Sequence, residues 1–287
     1  MMSNLTLSSY NNFNSMNLKK LIPISFNALS GIFPGLAARI AIELFLTPGK
    51  AVRRTEEQEL LKSAVEIRFF SGCIGHSWGT GPVVFLCHGW GSRGTRFFNL
   101  IPRIVAQGYK VVVWDAPAHG FSPGKKTNLT EIAKLLADDL LNSKLEPVGF
   151  VGHSMGGVIL GVMEKYHRKL PDKVVIVASP TRISMVFERF YAMIKLSPRA
   201  QQIFTETVEN KTGYSFEDLS LVRCDLGKNT QALVFHDTDD IEVPYSDFLA
   251  LREIWDKSIF ETTEDLGHRR ILDDDSVITK IVDYLGA

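Results

Sequence analysis

The chain has little cysteine, no surplus of either charge and no long unbroken apolar run, and each lack removes a class of protein. Cys73, Cys87 and Cys224 are its only cysteines, far apart and odd in number. They suggest no disulfide framework and match no metal-ligand spacing, so a reducing, cytoplasmic setting without a bound metal is expected. Cys87 falls in an apolar run and reads as a small core residue. Lysine plus arginine total 32, as do aspartate plus glutamate, giving a net charge of +0 at pH 7. No basic stripe speaks for nucleic acid, and no polyanionic partner is implied. Hydrophobic residues still make up 45% of the 287, enough for a substantial core in one large domain, or in one domain with a small insertion.

The longest apolar candidate, residues 21–46, is interrupted by Pro23, Asn27, Ser30, Gly31, Pro34 and Gly35, then by Arg39 and Glu43. A spanning helix is therefore disfavoured. Pro34 suits a helix start and Pro48-Gly49 a stop, with Leu36, Ile40 and Leu44 on one face and Arg39 and Glu43 on another. The expectation is an amphipathic helix covering the main domain. A signal peptide behind Lys19-Lys20, or a peripheral membrane contact through residues 21–46, are the alternatives left open. Residues 1–17, rich in Asn, Ser and Met, are expected to be disordered.

What is present is concentrated in residues 147–157, where the apolar Val148, Phe150 and Val151 enter Gly152-His153-Ser154-Met155-Gly156 and helix-compatible sequence leaves it. This is the pattern of a nucleophile elbow, a strand-to-helix turn that holds a serine hydroxyl clear of the backbone. Glycines on either side of the serine leave room where a β-carbon would strike the turn. Two further stretches follow in order. The apolar run Ala232 to Phe235 leads into His236-Asp237-Thr238-Asp239-Asp240-Ile241-Glu242-Val243-Pro244, and the β-prone run 258–263 leads to Gly267-His268.

Serine, acid, histidine in that order resembles the α/β-hydrolase superfamily, in its esterase, lysophospholipase and serine-aminopeptidase-like branch. The likeness runs from about residue 64 to the C-terminus. It implies Ser154 as nucleophile, His268 as base and Asp240 as the acid that orients the base. Asp239 and Asp237 are rival acids on the same loop, and Asp237 stands where the superfamily usually has glycine. Two more motifs fit. Val83 to Gly91 reads as a strand ending in His88-Gly89-Trp90-Gly91, which implies the Trp90 and Met155 backbone N–H groups as an oxyanion hole. Losing one such donor typically costs ~3 kcal/mol of transition-state stabilisation. His88 reads as a brace for that loop. Asp115 to Ser122 matches a tight structural loop closed by Asp115, His119 and Ser122, with Ala118 where a glycine is usual.

The implied fold is α/β, a mostly parallel central sheet with helices on both faces. Strands are expected near 66–70, 76–78, 83–88, 111–115, 148–152, 174–178 and 232–235, and helices near 56–63, 93–107, 129–142 and 155–168. Residues 1–63 are expected to be a disordered N-terminus plus covering helices, and 64–287 the hydrolase domain. Residues 183–226 break the rhythm. They hold helical stretches over 184–194 and 200–209, and the resemblance makes them a small helical lid. Their aromatics (Phe187, Phe190, Tyr191, Phe204, Tyr214, Phe216) read first as packing and second as substrate contacts. The resemblance implies a serine hydrolase of small-molecule carboxylic esters or thioesters, acting through an acyl-enzyme without a cofactor. Acyl transfer and peptide cleavage use the same triad and stay open, as does a non-catalytic binding protein on this fold. Oligomeric state is not legible.

Overall fold

The structure, a computed structural model, describes residues 26–167, 169–224, 226 and 231–287. Residues 1–25, on which the expected disordered start, the signal-peptide alternative behind Lys19-Lys20 and the first part of the 21–46 membrane-contact alternative fall, lie outside the described residues. The chain divides into two compact units, one formed by residues 26–45 with Ser184–Ser215 and the other by Leu46–Ile183 with Phe216–Ala287.

The larger unit holds one eight-stranded sheet. Its strands are β1 (Val65–Arg68), β2 (Ile74–Trp78), β3 (Val83–Cys87), β4 (Lys110–Trp114), β5 (Pro147–His153), β6 (Lys173–Val177), β7 (Leu233–Asp237) and β8 (Ile259–Thr263). They lie in the order β1-β2-β4-β3-β5-β6-β7-β8. The β1/β2 and β2/β4 pairs are antiparallel and every later pair is parallel. Alternation of side chains sends successive positions to opposite faces. Val84, Leu86, Val111, Val113 and Val151 join Leu100, Ile101, Ile104, Ile278 and Ile281 in one apolar layer. The intervening Phe85 and Phe150 sit on the other face, ring centroids 5.7 Å apart. Cys73, Cys87 and Cys224 are free and buried.

Local signals set most helix bounds. The helix Leu129–Asn142 begins at Asn128, whose side chain accepts the Glu131 N–H at 2.9 Å. The single helix expected over 93–107 is instead a 3-10 turn at Gly94–Phe97 followed by a helix over Leu100–Ala106. The Gly94 N–H is committed to Asp115 Oδ1 at 2.7 Å, and Pro102 has no N–H to offer a longer helix.

In the smaller unit, helices cover Pro34–Phe45, most of Ile183–Ile194, and Pro198–Thr212. The first forms where the sequence places it but buries a different face. Ala37, Ala38 and Ala41 are fully buried, whereas Leu36 and Leu44 are 51% and 50% exposed. Small side chains let the Pro34–Phe45 helix approach the Pro198–Thr212 helix closely, and the larger aliphatics are left outside. Phe45, Phe187, Phe190, Tyr191 and Phe204 form one aromatic cluster, with Phe45–Phe187 centroids at 4.5 Å and Tyr191–Phe204 at 5.1 Å. Packing thus accounts for these insertion aromatics. Among the described residues no helix is long and apolar enough to cross a membrane.

Candidate active site

The turn after β5 carries a strained residue. Ser154 has φ 54° and ψ −123°, a conformation that costs a side-chain-bearing residue ~1–3 kcal/mol. Its surroundings enforce that shape. The Ser154 N–H donates to the Val177 carbonyl at 2.9 Å, tying the turn to β6. A β-carbon at Gly152 would lie 2.7 Å from the Gly157 nitrogen, and one at Gly156 would lie 2.0 Å from the Cys87 carbonyl oxygen. Neither backbone can yield, so both glycines are required.

Ser154 Oγ is 3.0 Å from His268 Nε2, and His268 Nδ1 is 2.7 Å from Asp240 Oδ2. Asp240 and His268 are buried, 5% and 8% exposed. Burial alone would raise the Asp240 carboxyl. The hydrogen bonds from His268 and the Val243 N–H, and the imidazole's positive potential, hold it below the usual carboxylate range. Its second oxygen accepts the Glu242 and Val243 N–H groups, each at 2.8 Å. An ionised Asp240 fixes the proton of His268 on Nδ1, which leaves Nε2 bare to take the serine proton.

The rival acids face elsewhere. Asp239 Oδ2 accepts the Asp265 N–H at 3.0 Å and the Thr238 hydroxyl at 3.0 Å. Asp237 is fully buried and accepts from the Thr263 hydroxyl at 2.7 Å, the Leu266 N–H at 3.1 Å and the Asp239 N–H at 3.0 Å. Burial would raise its carboxyl, but these donors together with the Gly267 N–H hold it low. Standing where the superfamily has glycine, Asp237 ties the acid loop to the loop that leads into His268.

Gly89 packs so closely against the elbow that a β-carbon there would lie 2.9 Å from the Ser154 β-carbon. Trp90 follows Gly89 in the chain, and Met155, the residue after Ser154, opens the helix Met155–Tyr166. His88 braces this loop. Its Nδ1–H donates to the Gly89 carbonyl at 2.8 Å and its Nε2 accepts the Ala116 N–H at 3.0 Å. Burial pushes its pKa down to about 4, so it stays neutral. Asp115 accepts the Gly94 and Phe121 N–H groups at 2.7 Å each, and the Ser122 hydroxyl accepts the Ile74 N–H at 2.8 Å. His119 Nδ1–H donates to the Pro117 carbonyl at 2.9 Å. Those three residues close a loop beside β4 and do not touch the Ser154–His268–Asp240 line.

Two features escaped the sequence reading. Glu57 and Arg93, far apart in the chain, form a buried pair with Arg93 Nε 2.7 Å from Glu57 Oε2, joined by the Thr95 hydroxyl at 2.6 Å. This clamps the helix Thr55–Leu61 onto the segment just after Gly91. Each residue looks like a surface charge in sequence. The second is His153, whose Nε2 lies 2.8 Å from the His268 carbonyl oxygen. Its only signal is its place inside the elbow pattern. Among the described residues no group of three His, Cys, Asp or Glu is arranged to hold a metal ion.

The chain is similar to known proteins in sequence and in fold. The family model described as serine aminopeptidase, S33, matches residues 80–248. The magnesium-chelatase 30 kDa subunit of Rhodobacter capsulatus is 39% identical over 83 residues, covering 28% of this chain and 28% of that protein. The pimeloyl-(acyl-carrier protein) methyl ester esterase of Vibrio atlanticus is 31% identical over 114 residues, covering 39% of this chain and 42% of its own. The chain therefore spans well under half of the length of these curated relatives. An esterase structure from Exiguobacterium antarcticum superposes with a TM-score of 0.56 at 20% identity, over 78% of this chain and 99% of that one, a likeness of fold.

Proposed function

The chain belongs to the serine aminopeptidase S33 family, and on that premise we propose that it is a serine hydrolase cleaving a carboxylic ester or thioester. The observation that carries this reading is the line Ser154 Oγ, His268 Nε2, His268 Nδ1, Asp240 Oδ2, with contacts of 3.0 and 2.7 Å. Both distances are already at hydrogen-bond length, which proton transfer requires.

The chemistry follows from those positions. Ser154 Oγ bonds to the substrate carbonyl carbon while its proton passes to His268 Nε2. The carbonyl oxygen becomes an oxyanion facing the Trp90 and Met155 N–H groups. The carbon–oxygen or carbon–sulfur bond then breaks, and the leaving alkoxide or thiolate takes the proton from His268. Water attacks the acyl-Ser154 ester by the same route, giving a carboxylic acid and the free enzyme. Asp240, held ionised, stabilises the imidazolium at each step.

Residues 184–215 leave and return at the carboxyl edge of β6. Their roots are joined by the Val222 N–H to the Thr181 carbonyl at 3.3 Å and the Ile183 N–H to the Ser220 hydroxyl at 3.0 Å. The test is turnover of p-nitrophenyl esters of increasing chain length, acyl-CoA thioesters and aminoacyl p-nitroanilides. The proposal expects ester or thioester turnover that Ser154→Ala abolishes. Turnover confined to the anilides makes the chain a peptidase, and none on any class overturns hydrolysis of these substrates.

A further inference from the structure

We propose that His153 is a positioning residue for the base. Its Nε2–H, donated to the His268 backbone carbonyl, indexes the catalytic imidazole to the strand that carries the nucleophile. The inference rests on the hydrolase reading above and adds a residue to its machinery.

The geometry is specific. His153 is the last residue of β5 and Ser154 is the next residue of the chain. Ser154 Oγ meets the His268 ring at 3.0 Å, and His153 Nε2 meets the His268 carbonyl oxygen at 2.8 Å. Consecutive residues thus hold both ends of one residue, its ring and its backbone. A carbonyl oxygen can only accept, so the proton of His153 sits on Nε2. The tautomer is set by that contact.

His268 has need of such a pin. It lies in a helix of only four residues, Gly267–Arg270, whose Arg269 and Arg270 carbonyls accept the Leu272 and Asp273 N–H groups at 3.3 and 2.8 Å, while the His268 carbonyl is met by His153. The next carbonyl, of Arg269, is held at 2.7 Å by Arg96 Nη2, and Arg96 is anchored by Asp273 at 2.7 Å. Two successive carbonyls are therefore fixed by side chains from other elements. Removing the His153 bond frees the one that belongs to the base, and a displacement near 1 Å costs roughly 100-fold in rate.

His153 must also stay uncharged, because its ring centroid is 4.9 Å from that of His268. A second cation there would oppose the imidazolium that forms during attack. The groups around it are His268, Arg96 and Asp240. Burial, with His268 next, takes its pKa down to about 3.

The experiment compares His153→Phe, which keeps a flat ring without the donor, with His153→Gln, which keeps an N–H of similar reach. With p-nitrophenyl butyrate, the Phe variant should lose about 10- to 100-fold in kcat with KM within about twofold, and shift the acid limb of the kcat/KM profile. The Gln variant should recover to within about threefold of the parent. Nitrogen-15 spectra of the parent protein should show His153 protonated on Nε2 at pH 7, a readout that needs neither turnover nor a variant. Wild-type kcat and pH profile in a folded Phe variant overturn the proposal, as does a parent His153 protonated on Nδ1. Absence of any Ser154-dependent turnover overturns the hydrolase reading instead, and the tautomer still reports on the hydrogen bond.

Discussion

His268 Nδ1 meets Asp240 Oδ2 at 2.7 Å, while the carboxylate of the adjacent Asp239 turns to the Asp265 N–H at 3.0 Å. One residue's difference along an acidic loop therefore separates a group that can orient the base from one that holds a turn. Asp240→Asn should lower kcat about 1,000- to 10,000-fold by favouring the wrong tautomer of His268. Asp239→Asn should stay within about tenfold of the parent, because it loses only turn contacts. Steady-state kinetics of the two variants on a p-nitrophenyl ester decide it, and equal losses contradict the assignment.

Asp237 tests the link between the two loops. Its carboxylate accepts from Thr263, Leu266 and Asp239, and Asn in its place would turn an amide toward those donors. Asp237→Asn should reduce the free energy of unfolding by about 1–3 kcal/mol, the penalty for buried donors left unmatched. The kcat should fall about tenfold as the segment before His268 loosens. Urea unfolding and kinetics on the same preparation check both, and a variant unchanged in both refutes the role.

Stability should fall steeply on mild acidification. Burial holds His88 and His119 down to about 4 and His153 to about 3, against an ordinary value of 6.5. Between those values the unfolded chain binds more protons than the folded one. Stability is then lost as pH drops below 6.5, by about 1.4 kcal/mol per pH unit for each histidine. Asp139 and Asp247, raised by burial, act the opposite way, stabilising toward acid. Asp240 and Asp237 are held low and withdraw their support only in stronger acid. The Tm should drop by roughly 5–15 °C from pH 6.5 to 5.5. A Tm that is flat between pH 7 and pH 5 rules out neutral, buried imidazoles at these positions.

Ala118 adopts φ 64°, the left-handed conformation that glycine takes without penalty. Its methyl costs ~1–2 kcal/mol there, partly offset by the larger entropy glycine loses on folding. Ala118→Gly should accordingly stabilise the chain by ~0.5–1 kcal/mol, read as a higher urea midpoint with an unchanged slope. A lower midpoint would mean that the methyl's packing outweighs the strain.

Much of this arrangement was legible in the sequence because its signals are local. Apolar runs flanked by turn residues gave the central strands, and Gly152 to Gly156 marked the elbow from its own spacing. The choice among Asp237, Asp239 and Asp240 could be made only through resemblance, since loop geometry decides which carboxylate meets His268. Glu57 and Arg93 were opaque for a different reason. A buried ion pair between distant residues has the composition of two surface charges. Apolar spacing also chose Leu36, Ile40 and Leu44 as the inward face of the Pro34–Phe45 helix, whereas close packing selects Ala37, Ala38 and Ala41. Size, rather than hydrophobicity, governs that contact.

The most direct test of the central claim is covalent labelling of the nucleophile. A fluorophosphonate probe forms a stable adduct only with a serine activated by a neighbouring base. The account predicts one adduct per chain, located on Ser154 by peptide mass spectrometry, absent in Ser154→Ala and strongly slowed in His268→Ala. No adduct on the folded protein, or an adduct that persists in Ser154→Ala, would contradict it.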